Sequence, residues 1–404
     1  MKRLHSPLPP LFLVIFIDTF GYFLVLPVIL RLFIHTDSSI LPLETSMVTR
    51  QWLYSITLML SPLAFISLSP FAGHLSDAFG RKKVIATCLI ASLVGFILPI
   101  IGIVTHRISL IMLGRFIAGA GTTSQPVAQA AITDFSTGKA RAFNLSLIGL
   151  SMTLAMVVGP LSGGYLSDTT LVHWFNPTTP YWAGTVLAVI NLALLWRYFN
   201  ESHITTQHNS KSKSNTSLLR LITKPILYLL LTFLSIELAW SAFYQGSFLF
   251  LGGKLHFTTN QISEFAAYAG FWMCLGLTVV YKFWLKTTSV NQITRISLVV
   301  MTAGFVGLCL TYTTISLWVL IAPIALCTGT AYPSLLQLIS NNTSSQHQGW
   351  MLGIASTLLG FAWMITGLFS AVVIRQSVQL LLWLCAAVIG LAFLIVFRTL
   401  SHND

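Results

Sequence analysis

The sequence predicts an all-α integral membrane protein with twelve transmembrane helices in two pseudo-symmetric six-helix bundles. Three observations carry that expectation. Only 8% of the 404 residues are charged and 55% are hydrophobic, with a mean hydropathy of +0.80, a balance that soluble domains do not have. The apolar residues gather into runs of about 20 or more, the length a helix needs to cross a hydrocarbon core in which every backbone N–H and C=O must pair inside its own segment. The longest polar stretch, residues 200–224, divides these runs six and six.

The first run, 8–33, follows Lys2-Arg3 and carries no small-x-small cleavage site, so it is expected to remain as a helix rather than be removed as a signal. Spans two and three, 48–72 and 83–104, flank the charged segment Gly73-His-Leu-Ser-Asp-Ala-Phe-Gly-Arg-Lys-Lys83. Spans four, five and six are read at 108–133, 142–168 and 180–200. After the Ser- and Lys-rich stretch come 225–252, 261–285, 291–313, 316–339, 347–374 and 378–398. The predicted organisation is a bundle over 1–200, a cytoplasmic linker over 201–224 and a second bundle over 225–404. The halves echo one another: Gly121-Thr122 with Pro126 matches Gly329-Thr330 with Pro333, as parallel repeats around a central site would.

Most of the 22 Lys and Arg fall on one side if the termini are cytoplasmic, among them Lys2, Arg3, Arg81, Lys82, Lys83, Arg197, Lys282 and Arg398. That is the expected orientation, in a bacterial inner membrane. The net charge of +12 then follows from topology and contact with anionic headgroups, and no nucleic-acid partner is expected. The five cysteines are scattered singly and the ten histidines form no ligand-spaced cluster, so no metal and no cofactor is predicted. Without a G-x-x-x-x-G-K-[ST] loop there is no sign of ATP-driven work, and any energy must come from an ion gradient. Catalytic residues are not expected, and the chain is read as a non-enzyme that works as a monomer on a small-molecule substrate, protons and the lipid bilayer.

Ionisable groups inside spans are expensive and usually functional. Asp18 in span one and Glu237 in span seven both come out near the bilayer midplane at 1.5 Å per residue. Asp18, Arg115 in span four and Glu237 are the proton-coupling candidates. From Glu237, the residues Trp240, Ser241, Tyr244 and Phe248 follow at i+3, i+4, i+7 and i+11, giving one face with an acid and aromatic rings suited to a cationic or aromatic solute. Further substrate-binding candidates are Tyr22, Gln125, Gln129, Tyr268, Trp272, Tyr332 and Gln337. Each also has a plainer reading, since aromatic stripes pack helices and polar side chains join them.

The pattern G-x-L-S-D-x-x-G-R-K between spans two and three resembles the signature loop of the major facilitator superfamily, over a chain whose span count and two halves agree with that family. The resemblance implies a conformational latch of Gly73, Asp77, Gly80, Arg81 and Asp134, holding the halves in one access state. Ala78 stands where many members carry a basic residue. Gly159-Pro160-Leu-Ser-Gly163-Gly164 in span five resembles the G-P-x-x-G-G element of drug/proton antiporters, which makes Gly159, Pro160, Gly163 and Gly164 hinge candidates. With Asp18-Thr-Phe-Gly21 and Glu201-Ser-His, the chain looks most like the tetracycline/proton antiporter type, although span nine lacks the acidic residue of that type. The implied function is proton-coupled multidrug efflux: export of a small amphipathic compound by substrate/proton antiport with alternating access. Two alternatives stay open: a proton symporter importing a metabolite, peptide fragment or siderophore, and a membrane sensor that transports nothing.

Overall fold

A computed structural model describes residues 8–34, 40–135, 138–199, 222–311, 313–344 and 347–400. Lys2, Arg3, Glu201 and the linker up to residue 221 lie outside the described residues.

The first half comprises α1 (Leu8–Phe33), α2 (Met47–Phe79), α3 (Arg81–Val104), α4 (Ile108–Gly121), α5 (Ser124–Asp134), α6 (Gly138–Tyr165) and α7 (Thr179–Tyr198). The second comprises α8 (Lys224–Lys254), α9 (Thr259–Leu275), a π-helical turn at Gly276–Val280, α10 (Tyr281–Trp284), α11 (Val290–Thr311), α12 (Thr314–Asn341), α13 (Gln348–Gln376) and α14 (Val378–Leu400). Among the described residues, eleven helices are long and apolar enough to cross a membrane by themselves.

Span four is the exception, broken at Thr122-Thr123 into α4 and α5. Pro126 has no N–H to offer the carbonyl of Thr122, and its ring crowds that carbonyl. The amide of Gln125 takes the Thr122 carbonyl at 3.0 Å instead, while the hydroxyls of Thr122 and Thr123 turn back onto the carbonyls of Gly119 and Ala120.

The charged segment at 73–83 is also helical almost throughout, correcting the expected turn. α2 runs seven residues past residue 72 and α3 begins at Arg81, so Gly80 alone makes the corner. Its φ of 93° lies in the left-handed region that favours glycine.

Within each half the spans pack as a bundle, and the halves meet along two seams, α2 against α13 and α6 against α9. Advancing each helix of one seam by six spans gives the other, which is the parallel repeat expressed in packing. The largest core crosses between the halves and takes Ile17 to Phe33 of α1, whereas Leu11, Val14 and Ile15 belong to a separate core with α3, α5 and α7. The halves therefore share a core along the part of α1 from Ile17 to Phe33, while the part of α1 nearer its start packs into a core of the first half alone.

Glycines set the close approach at α6. A Cβ on Gly163 would stand 2.1 Å from the carbonyl oxygen of Leu24 in α1, and one on Gly164 would stand 2.3 Å from Ser263 Oγ in α9. The G-P-x-x-G-G element thus lies against its own half on one side and the opposite half on the other.

Candidate functional site

Asp18 is 4% exposed and Arg115 is 1% exposed. The break in span four turns Ser124 toward α1, where its hydroxyl donates to Asp18 Oδ2. The guanidinium of Arg115 lies over the Tyr22 ring, 5.3 Å from its centroid. Asp18 and Arg115 line one small cavity with Tyr22, Ser92 and Thr122, yet no ion pair joins them among the described residues. The two charged groups thus approach one another through a shared cavity and not as an ion pair.

Glu237, 3% exposed, sits in the second half with Trp363 as a hydrogen-bond partner and Tyr332 nearby. Trp240 and Tyr244 are buried one and two turns beyond it, their centroids 5.8 Å apart, and neither Trp240 Nε1 nor the Tyr244 hydroxyl has a hydrogen-bond partner among the described residues. Phe23 of α1 meets Tyr244 edge-on at 5.5 Å and Trp363 at 5.7 Å, so the aromatic face is shared between the halves.

A polar chain runs from Tyr22, beside Arg115, to the backbone of Glu237. Tyr22 donates to Gln245 Oε1 at 3.2 Å, Gln245 Nε2 donates to Thr366 at 2.9 Å, Thr366 donates to Ser241 at 2.9 Å and Ser241 donates to the Glu237 carbonyl at 2.5 Å. The Thr366 hydroxyl also meets the Ala362 carbonyl of its own helix at 2.8 Å. Gln245, Thr366, Trp363 and Ser124 were not among the sequence candidates. Gln245 carried a usable signal, an amide within an apolar run, whereas Trp363 has no partner at helical spacing and joins the site only through tertiary packing.

The other candidates divide by position. Gln125 and Gln129 are half-buried on α5, flanking an exposed Pro126, as expected of a face toward an opening. Tyr268 and Trp272 meet edge-on at 6.1 Å, and Tyr268 packs on Trp318 at 5.2 Å inside the second half. Gln337 is exposed and accepts from the Tyr281 hydroxyl at 2.6 Å. No hydrogen bond or ring contact among the described residues joins these three to Glu237.

At one end Arg81 Nη2 lies 2.8 Å from Asp134 Oδ2, with side chains 22% and 28% exposed. This pair ties α3 to α5 within the first half. Asp77 is exposed and has no ion pair among the described residues, and Gly73 has open space around it.

At the opposite end the halves are bonded across. Tyr165 donates to Glu264 Oε1 at 2.5 Å, and Asn260 Nδ2 donates to Asp168 Oδ2 at 2.5 Å. Arg31 donates to the neighbouring Ser167 carbonyl. Arg50 donates to the carbonyls of Phe33, Pro42 and Thr45, closing the loop after α1. Partial burial pushes the Asp168 carboxyl up, but hydrogen bonds from Thr170 and Asn260 and the charge of Arg31 outweigh it and hold the group below the usual range.

Comparison with known proteins agrees with this architecture. Tetracycline resistance protein, class B, of Escherichia coli is 23% identical over 367 residues, covering 86% of this chain and 85% of that protein. Multidrug resistance protein 2 of Bacillus subtilis (strain 168) is 26% identical over 303 residues, 72% of each chain. The crystal structure of a D-xylose-proton symporter, 14% identical, superposes with a TM-score of 0.77 over 96% of both chains and so shares the fold. A family model for the Major Facilitator Superfamily matches residues 11–349. With that match over most of its length, on a frame of two like bundles, the chain belongs to the Major Facilitator Superfamily and is a multi-pass membrane transporter.

Proposed function

We propose that the protein exports a small amphipathic, cationic or aromatic compound in exchange for protons, by alternating access around the midplane cluster. One observation carries the reading: among the described residues each half holds a single deeply buried carboxyl, Asp18 or Glu237, and a polar chain runs from Tyr22, under the Arg115 guanidinium, through Gln245 to the backbone carbonyl of Glu237. Asp18 is the proton site, with Arg115 as its electrostatic partner. Glu237, with Trp240, Tyr244, Tyr332 and Trp363, is the substrate side, where a desolvated carboxylate and ring faces attract a cation. Protonation of Asp18 weakens its attraction for Arg115 and changes the balance between access states, which is all that coupling requires.

The arrangement described above is the state closed at the Asp168–Asn260 end. Gly159, Pro160, Gly163 and Gly164 are the hinge face along which α6 moves against α1 and α9; the Arg81–Asp134 pair, beside the Gly80 corner, joins α3 to α5 of the first half in this state and does not reach the second half, so its part in a latch between the halves belongs to the other access state. The termini are placed in the cytoplasm, so this state opens inward. The relatives named for tetracycline and multidrug resistance support export.

The test is transport in inverted and right-side-out vesicles under an imposed pH gradient, using tetraphenylphosphonium as a cationic aromatic probe. Accumulation in inverted vesicles driven by an acidic interior is expected. Uptake that instead follows inward proton flow in right-side-out vesicles identifies symport, and flux indifferent to Asp18→Asn and Glu237→Gln sinks the proposal.

A further inference from the structure

Four polar atoms around the first-half cavity have no hydrogen-bond partner among the described residues: Asp18 Oδ1, Ser92 Oγ, Arg115 Nε and Arg115 Nη2. Asp18, Ser92 and Arg115 are 4%, 4% and 1% exposed and line the same cavity, from α1, α3 and α4. Buried donors and acceptors far from bulk water are not left unpaired in a stable interior. The cavity has room for about one water molecule, and a buried water needs two to four polar partners, which these residues supply. The charges on the wall also select the occupant. A cation would stand beside Arg115 and an anion beside Asp18, whereas a neutral molecule with both donors and acceptors satisfies both.

We infer that one ordered water bridges Asp18 Oδ1, Ser92 Oγ and Arg115, and that Ser92 is a positioning residue of the proton site. The water accepts from the guanidinium and donates one hydrogen to Asp18 Oδ1 and the other to Ser92 Oγ. With Ser124 donating to Oδ2, both oxygens of the ionised carboxylate are then served. Arg115 acts on Asp18 through this water, which explains how the two groups share a cavity without an ion pair. Gly121, at the end of α4, fixes the place of the Ser92 hydroxyl: a Cβ there would stand 2.2 Å from Ser92 Oγ. Helix α4 therefore sets both the guanidinium and the wall behind the serine. The other titratable groups around the site are Tyr22 on α1, Cys88 on α3, Tyr54 on α2 and Tyr181 on α7.

The inference rests on Asp18 being the proton site, and infrared difference spectroscopy of the full chain in lipid nanodiscs separates the two claims. The Asp18 band is defined as the carboxyl signal missing from Asp18→Asn. In the wild type its titration is expected to carry a water O–H band that shifts in H2(18)O. Ser92→Ala is expected to abolish that band and to move the Asp18 midpoint by about one pH unit, and Ser92→Thr to restore both. Gly121→Ala, which crowds the hydroxyl, is expected to act in the same direction as Ser92→Ala. If Asp18 titrates with no isotope-sensitive band, or if Ser92→Ala leaves band and midpoint in place, the water bridge is overturned while the proton site stands. If no band is missing in Asp18→Asn, the proton site falls and the bridge with it.

Discussion

Spans four and ten begin from nearly the same sequence and end differently. Span four reads Gly121-Thr-Thr-Ser-Gln-Pro126 and span ten reads Gly329-Thr-Ala-Tyr-Pro333, one residue shorter. The first is broken into α4 and α5, while α12 runs unbroken from Thr314 to Asn341 through both Pro323 and Pro333. In span four two threonine hydroxyls turn back onto carbonyls ahead of the proline, and Ser124 swings onto Asp18. In span ten the Thr330 hydroxyl makes the same backward bond, to the Cys327 carbonyl at 3.0 Å, and also meets Ser297 of α11 at 2.8 Å, while Tyr332 is carried toward Glu237 on a continuous helix. The repeat has thus been used twice: a break that serves a carboxyl in the first half, and an unbroken helix that presents an aromatic ring in the second. The asymmetry fits a division of labour, with the proton handled by one half and the substrate by the other.

The hardest test of that division is Asp18→Asn. Proton-driven transport should fall to background with the amount and thermal stability of the protein unchanged, while binding of tetraphenylphosphonium stays near the wild-type value. A large loss of binding would merge the two sites and erase the contrast between the halves.

Pro126→Ala and Pro333→Ala probe the spans themselves. Alanine at 126 supplies the missing N–H, lets α4 and α5 join and draws Ser124 away from Asp18. Losing a hydrogen bond to a charged group costs about 1.5–3 kcal/mol, so the pH at half-maximal transport should shift by about one unit or more. Alanine at 333, in a helix already continuous, should leave the pH profile in place. Equal shifts from the two variants would mean that the break has no special role.

Glu237→Gln removes the charge from the aromatic face and keeps its shape. Affinity for the cationic probe should drop about tenfold, equivalent to about 1.4 kcal/mol, with little change for a neutral aromatic analogue. Titration calorimetry on the two probes decides it.

The smallest effect is expected at the far end. Asp168 is held below the usual carboxylate range by partners that include Asn260 of the other half. A carboxyl with a depressed pKa stabilises closure at neutral pH, and that contribution is lost as pH falls below about 3.9 toward the lowered value. Accessibility of a cysteine placed near residue 260 should rise modestly in acid, and Asp168→Asn should remove the acid step.

Much of the frame was legible from residues alone. The span from Leu8 to Phe33 falls where the apolar run 8–33 puts it, because a helix in lipid satisfies its own backbone and its length is fixed by bilayer thickness. Asp18, Arg115 and Glu237 stood out for the same reason, as charges where charges are costly. The Gly73–Lys83 segment misled, since polar residues at a membrane surface are as compatible with two more turns of helix as with a loop. Tyr268, Trp272 and Gln337 shared the residue types of the midplane cluster but pack elsewhere, and helical spacing along one span says nothing about which neighbour that face meets.

The sequence by itself determined the solvent, the number of spans, the two halves and the few ionisable groups that lie inside spans, because each follows from local composition and from the energetics of single helices in lipid. Only the tertiary structure decided what those groups touch. Trp363 beside Glu237, Gln245 beneath Tyr22, Ser124 on Asp18 and the shared cavity of Asp18, Ser92 and Arg115 arise between helices far apart in the chain, where packing sets distances that periodicity does not encode.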